Sequence, residues 1–426
     1  MKITRGADGG ILTLLRSLYR TGPATRSQLL GDLETSRRTT CAALERLLSR
    51  GLVCEVRVPP QGLGRPASQI QLSPDMAYAT GIAFGVTRTR AVITDVHGRV
   101  LCELEDNPLV LSSIEELPSG ILSTYDRLIH STSLPRDKMV ALGVSLGGFM
   151  DDKEGTVSIL GLPHTVEGTQ FLWSEGTGKS MPLAQNLAGL SGLNVAVEDR
   201  PRAAAFAEKR FGVTRESDHF IFLRVGSQDV SAGLFLDGRL YRGHRGVSGE
   251  VGHLVLSPDD GPLCRCGNRG CLEVLSSGRA LVQAVLAGIR GGINSSLLLT
   301  SNPNSGELTA EKVVEAAKAG DKLCWQVVYD AARYLGEAAA ILVNLFGPEM
   351  LVLGGLAESS GGLFLHQVSD AVRLRALDVM SRNVRVVESS LGPWGPARGA
   401  AALALEKAFS SGGCLDKLLE ESPSRC

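Results

Sequence analysis

The sequence predicts an α/β protein in two parts: a small basic head of helices with one hairpin, then a larger body of two lobes. Three observations carry this expectation. Residues 1–70 hold 11 Lys and Arg against 5 Asp and Glu, net +6, so the rest of the 426-residue chain carries 33 against 40, net −7. Helical apolar spacing dominates up to Ser49, after which strand-like segments recur with helices between them. Gly is abundant, 50 of 426 residues, without a collagen-like period, which suits the tight turns of an α/β protein.

At roughly 150 residues per domain, the length suggests two to four domains. No run of apolar residues is long enough to span a bilayer, and the N-terminus lacks a charged-then-apolar leader. The expectation is a cytoplasmic protein with no membrane partner. Nine cysteines is an odd number, and Cys264, Cys266 and Cys271 fall within one short stretch. In a reducing compartment such a cluster reads as metal binding before disulfides.

In the head, Ile11, Leu14, Leu15 and Leu18 share one face of a first helix that ends at Thr21-Gly22-Pro23. Residues 25–33 make a second, short helix with Thr25 as N-cap and Leu29, Leu30 and Leu33 buried. Thr35-Ser36 starts a third helix running to Ser49, whose apolar face is Cys41, Leu44, Leu47 and Leu48. Its first turn is polar and basic: Ser36, Arg37, Arg38, Thr39 and Thr40. Leu52–Val58 and Ser68–Leu72 read as strands, joined by a Pro- and Gly-rich loop carrying Arg65. Three helices followed by a two-stranded wing make a winged helix-turn-helix. Its recognition helix would enter the major groove of a double-stranded DNA operator, with Arg65 at the wing tip reaching phosphates or the minor groove.

The body begins near Met76. Thr80–Val86, Arg90–Thr94 and a run from Arg99 read as three strands, and others recur at Val140–Ser145, Leu193–Glu198, His219–Val225 and Met350–Leu353. Helices are expected at Leu117–Ile129, Pro201–Phe211, Ala310–Ala319 and Lys322–Phe346. The expected organisation is a head over 1–75, one lobe over 76–205, a second over 206–410 with a C-terminal helix packing back on the first, and a flexible tail over 411–426.

One block carries specific chemistry: Gly249-Glu250-Val251-Gly252-His253, then Cys264-Arg265-Cys266-Gly267-Asn268-Arg269-Gly270-Cys271-Leu272-Glu273. His253, Cys264, Cys266 and Cys271 form a one-His, three-Cys set, which by ligand type and number is a closed tetrahedral Zn²⁺ site of structural kind. The block resembles the GEIGH and CxCGNxGCLE signature of the ROK family (repressor, ORF, kinase), which groups bacterial sugar kinases with sugar-responsive repressors. The resemblance covers essentially the whole chain and implies a two-lobed actin-like ATPase (ROK) body behind the head. It also implies that Glu250, His253 and Glu273 hydrogen-bond sugar hydroxyls, with zinc fixing the His ring.

The family's kinase chemistry is not kept. The first phosphate motif, Asp-x-Gly-Gly-Thr, reads Ala83-Phe84-Gly85-Val86-Thr87, so the Mg²⁺-ordering Asp is Ala. The Gly-Thr-Gly-x-Gly motif reads Ser227-Gln228-Asp229-Val230-Ser231, with an anion where phosphates would sit. The general-base position is Arg200, and a guanidinium accepts no proton near neutrality. The adenosine-side Leu353-Gly354-Gly355 survives, although two glycines also serve a tight turn. The family's Asn-containing substrate loop has no good counterpart near Leu160–Trp173.

These features point to a non-enzymatic, sequence-specific transcriptional regulator of carbohydrate metabolism, a repressor, responding to a sugar or sugar phosphate without ATP or Mg²⁺. Arg200 is the expected contact for an effector's phosphate, or else it pairs with Asp199 or Glu198 and only fills a vacated site. Helix-turn-helix operators require fixed half-site spacing, so a homodimer or homotetramer is expected. The rivals are a regulator switched by a protein partner and an active sugar kinase with a DNA-binding head.

Overall fold

The computed structural model describes residues 7–31, 36–58, 67–109, 111, 113–151, 156–158, 180–300, 308–411 and 418. The head opens with α1 (Ala7–Thr21), which buries Ile11, Leu14, Leu15 and Leu18. A short strand β1 (Ala24–Thr25) leads into α2 (Arg26–Gly31). Thr25 and Gln28 cap α2 reciprocally: the Gln28 amide donates to Thr25 Oγ1 (3.3 Å), and the Thr25 amide donates to Gln28 Oε1 (2.8 Å). Leu29 is buried and Leu30 half-buried, while Leu33 lies outside the described residues.

The third helix, α3 (Arg37–Ser49), starts at Ser36, whose Oγ accepts the Thr39 amide. Its buried stripe is Thr40, Ala43, Leu44 and Leu47. Cys41, expected on that face, is exposed. At 3.6 residues per turn, positions 40, 43, 44 and 47 align, and Cys41 is rotated out of their sector. Strands β2 (Val53–Val58) and β3 (Ala67–Leu72) then pair antiparallel, Val53 opposite Leu72, with β1 on the far side of β3. The connecting loop, including Arg65, lies outside the described residues.

The first lobe contains β4 (Tyr78–Phe84), β5 (Thr89–Asp95), β6 (Val100–Asp106), α4 (Leu117–His130), β7 (Met139–Leu146), a hairpin of β8 (Phe149–Asp151) and β9 (Thr156–Ser158), α5 (Leu183–Ser191) and β10 (Asn194–Asp199). Helix α6 (Arg200–Phe211) leads to the second lobe. There follow β11 (Phe220–Val225), β12 (Val230–Leu236), β13 (Arg239–Tyr241), α7 (Leu272–Ser276), α8 (Gly278–Arg290), α9 (Leu297–Thr300), α10 (Ala310–Lys318) and α11 (Lys322–Phe346). β14 (Met350–Gly355), α12 (Leu363–Arg375), α13 (Asp378–Ser381), β15 (Arg385–Glu388) and α14 (Gly395–Ser411) complete the chain.

The two main sheets repeat one topology. Their orders are β10-β7-β4-β5-β6 and β13-β12-β11-β14-β15. In each, the first three strands form an antiparallel meander and the last two add in parallel on the first strand's other side. The central strand β7 is covered on both faces, and every residue of it is buried. The edge strand β6 alternates half-buried and exposed positions instead.

Helices α6 and α14 cross between the lobes. α6 leaves the first sheet and packs on β11 and β12 of the second, while α14 leaves the second sheet and packs on β4, β7 and β10 of the first. Small residues permit this. A Cβ on Gly81 or Gly143 would lie 1.9 Å from a carbonyl oxygen of α14, at Ala397 and Ala400.

The head shares a core with the body. Ile11, Leu14, Leu15 and Leu18 belong to the same apolar cluster as Ala401, Leu405, Ala408 and Phe409 of α14. Tyr19 Oη donates to Ala402 O (3.0 Å), Arg20 pairs with Glu406 (3.1 Å), and Arg210 of α6 donates to Tyr19 O (2.8 Å). The head is thus seated on the two helices that join the lobes. No helix among the described residues is long and apolar enough to cross a membrane.

Candidate functional site

Folding brings His253, Cys264, Cys266 and Cys271 together, with one ligand atom from each lying within 4.8 Å of all the others. Cys264 Sγ is 3.7 Å from His253 Nδ1, and Cys266 Sγ is 3.6 Å from Cys271 Sγ. Tetrahedral ligands at zinc–sulfur distances of about 2.3 Å stand roughly 3.8 Å apart, so the set fits that ion. Nδ1 faces the thiols, leaving Nε2 as the second ring nitrogen. Gly270 closes the loop with φ +63°, and a Cβ there would lie 1.9 Å from Ser257 O. Burial pushes the Cys271 thiol up to about 12 and raises that of Cys264, whereas hydrogen bonds to Cys266 outweigh its burial and lower its thiol.

Glu250 and Glu273 flank this cluster. Burial raises the carboxyls of both, that of Glu273 to about 7, and Asp229 adds to the rise. Arg265, between two of the cysteines, grips Glu273 with two bonds, Nε to Oε1 and Nη2 to Oε2, each 2.9 Å. Burial and the Arg265 charge both lower the His253 imidazole, favouring its neutral form.

In the first lobe, β10 ends in Glu198-Asp199 and α6 begins at Arg200. Asp199 caps α6, accepting the Arg202 amide (2.9 Å). Arg202 is 1 % exposed and donates to Glu198 Oε1 (2.7 Å) and Gly246 O (2.8 Å). Arg242 holds the other Glu198 oxygen (2.9 Å). These contacts correct one expectation: Arg200 forms no ion pair with Glu198 or Asp199, because Arg202, two residues further on, already occupies them.

Arg200 instead faces Asp229, at 3.5 Å. Asp229 lies in the β11–β12 turn and is held by Arg224 through two bonds of 3.0 and 3.1 Å and by Ser231 Oγ. Burial alone would raise the Asp229 carboxyl, but Arg224 and Arg200 outweigh it and hold the group well below the usual carboxylate range. Burial, with Arg224 beside it, brings Arg200 down to about 10. Two guanidiniums thus flank one carboxylate, with Asp199 also acting on Arg200 and Glu358 on Arg224.

The equivalent turn of the first lobe, after Ala83 and Phe84, is closed by the Gly85 amide donating to Arg88 O (2.9 Å) and carries no carboxylate. In Leu353-Gly354-Gly355, a Cβ on Gly354 would lie 2.3 Å from the Phe222 ring, and Gly355 has φ +73°. Those glycines are required by packing whether or not a nucleotide binds. Residues 160–173 lie outside the described residues.

In the head, Ser36, Arg37 and Arg38 are exposed at the start of α3, and Thr39 is half-buried with its hydroxyl 2.7 Å from Ser36 Oγ. Thr40, placed in the same polar set from sequence, faces inward. It is 1 % exposed and donates to Ser36 O (3.3 Å), because it begins the buried stripe of α3. Sequence reasoning missed Arg224, Arg242 and Arg265. A signal was present: Glu198, Asp199 and Glu273 stand beside apolar segments, and buried carboxylates need cations.

Comparison with known proteins agrees with this geometry. The chain is 25% identical over 399 residues to the xylose repressor of Caldicellulosiruptor bescii, covering 94% of this chain and 96% of that one. The crystal structure of a ROK family transcriptional regulator, a homologue of the E. coli MLC protein, covers 97% of this chain and 99% of its own, with a TM-score of 0.78 and 26% identity. A ROK family glucokinase from Streptomyces griseus, solved with glucose and AMPPNP, covers 78% of this chain and 100% of its own, with a TM-score of 0.65 and 28% identity. The ROK family's sequence pattern matches residues 79–407, and the chain belongs to the ROK family.

Proposed function

We propose that this protein is a DNA-binding transcriptional regulator of carbohydrate metabolism, a repressor, whose body binds a sugar or sugar phosphate without phosphorylating it. The observation that carries the proposal is the start of α3. Arg37 and Arg38 stand exposed in its first turn, and that turn holds no acidic residue. Cations at a helix N-terminus oppose the helix dipole, so they weaken the helix and serve an anionic partner instead. With α2, α3 and the β2–β3 hairpin, they fit a winged helix-turn-helix reading an operator, with Ser36 and Thr39 beside them and Arg65 on the wing.

The body fits a sensor better than a kinase. Glu250, His253 and Glu273 supply polar groups for sugar hydroxyls, and a structural zinc on His253, Cys264, Cys266 and Cys271 would hold the loop that presents them. The kinase positions are changed: Ala83 for the metal-ordering Asp, Arg200 for the base, and Asp229 inside the phosphate turn. Arg200 and Arg224 place two guanidiniums beside this turn, which suits a phosphorylated effector. The expected homodimer or homotetramer is supported by exposed apolar side chains at one end of the second lobe, where Leu345, Leu374 and Leu377 are each more than 60 % exposed and the Leu377 amide donates to Asn344 Oδ1. The xylose repressor and the MLC homologue are similar over nearly the whole chain, head included.

Footprinting of fragmented genomic DNA tests the reading. Discrete protected sites beside carbohydrate genes are expected, and uniform binding to all DNA overturns it. Incubation with ATP and a panel of hexoses should yield no ADP above the protein-free rate. A sugar or sugar phosphate that binds only the folded state should raise the melting temperature.

A further inference from the structure

We propose that the cleft between the head and the body is a second ligand site, for a small polyanion bearing phosphate groups. The cleft has a volume of about 820 Å³, within the range of small-molecule sites. Its floor is apolar, with Tyr19 of α1, Phe206 of α6 and Phe235 of β12 all buried. Its walls are cationic: Arg20, Lys209, Arg210, Arg239, Arg242 and Lys407, against a single lining carboxylate, Glu406.

Partners account for half of these cations. Arg20 pairs with Glu406 (3.1 Å), Lys209 with Asp218 (2.8 Å) and Arg242 with Glu198 (2.8 Å). Arg210, Arg239 and Lys407 have no carboxylate partner among the described residues. Arg210 donates to the carbonyls of Tyr19 and Arg20, and its Nε is buried with no hydrogen-bond partner. Lys407 donates to Val195 O (2.8 Å). Three uncompensated cations around one concavity repel each other and raise the local concentration of anions. A ligand with two or more phosphate groups satisfies them together.

The location supplies a role. The cleft is walled by α1 of the head, by both helices that cross between the lobes, and by the β12–β13 hairpin. A ligand seated there clamps the head to the body and biases its orientation. That consequence rests on the reading of the head as DNA-binding, whereas the binding itself does not.

Calorimetry of the full chain with inorganic pyrophosphate tests the site. The titration is run in the Arg200→Ala background, which removes the anion candidate of the interlobe cleft. One saturable site per chain is expected. Arg239→Gln with Lys407→Gln should weaken it at least tenfold while the free protein melts within a few degrees of the parent, since both side chains are exposed and the pair gives up only the bond from Lys407 to Val195 O. Each single variant should weaken it by a smaller factor. Absence of saturable binding overturns the proposal, as does equal affinity in the double variant. If the double variant binds pyrophosphate normally but loses affinity and salt dependence toward DNA, the cations serve the duplex backbone and the proposal is wrong.

Discussion

The β4–β5 and β11–β12 turns occupy the same place in two sheets of one topology, yet their chemistry has diverged. In the first lobe the turn is closed by backbone alone, with Ala83 where the family's kinases carry a carboxylate. In the second, the carboxylate of Asp229 is clasped by Arg224 and Arg200. One turn carries no carboxylate and the other holds a charged network. Repetition of backbone topology therefore says little about the chemistry of a site; side chains on neighbouring elements decide it.

Substituting the network should produce the largest effect. Asp229→Asn removes the carboxylate that Arg224 and Arg200 share, and breaking this half-buried network should lower stability by about 1 to 3 kcal/mol. Urea unfolding should show the lower midpoint, and Ala83→Asp in the other turn should shift it far less. Equal shifts would erase the distinction between the turns.

The metal block tests whether that side of the cleft is rigid. Cys266→Ser should lower bound zinc from one per chain towards zero and the melting temperature by about 5 °C, because metal binding and folding are coupled. Elemental analysis and a melting curve measure both, and a metal-free protein of full stability would contradict the assignment. In the head, Arg37→Ala with Arg38→Ala should weaken operator binding by about tenfold and lower the slope of log affinity against log salt by roughly 1 to 2. Fluorescence anisotropy over a salt series reads both quantities.

An effect of similar size, but from a single substitution, is expected at Arg200. Arg200→Ala should weaken a sugar phosphate about tenfold relative to its free sugar, the cost of losing one charged hydrogen-bond donor. Equal losses for both would make Arg200 a partner of Asp229 and nothing more.

Much of the architecture was legible in the chain. The stripe of Ile11, Leu14, Leu15 and Leu18, the limits of the helix Lys322–Phe346 and the strand-like segments all follow from local periodicity, which is a property of the backbone. The four-residue His and Cys set was legible too, because three of its members lie within eight residues and the loop glycines leave few ways to fold. Thr40 and Cys41 were misplaced because helix phase changes by 100° per residue, and a polar label does not reveal which side a residue faces.

What the sequence determined by itself is the set of local elements and the chemistry within one short loop. Only the tertiary structure decided which charges meet. Arg200 could have paired with Glu198, two residues away, but Arg202 reaches that carboxylate from inside the core, and Asp229, 29 residues downstream, became the partner of Arg200. Likewise the head shares its core with α14, nearly four hundred residues away in the chain. Ion pairs and helix docking depend on distances through space, and sequence separation carries almost no information about those distances until the lobes have closed.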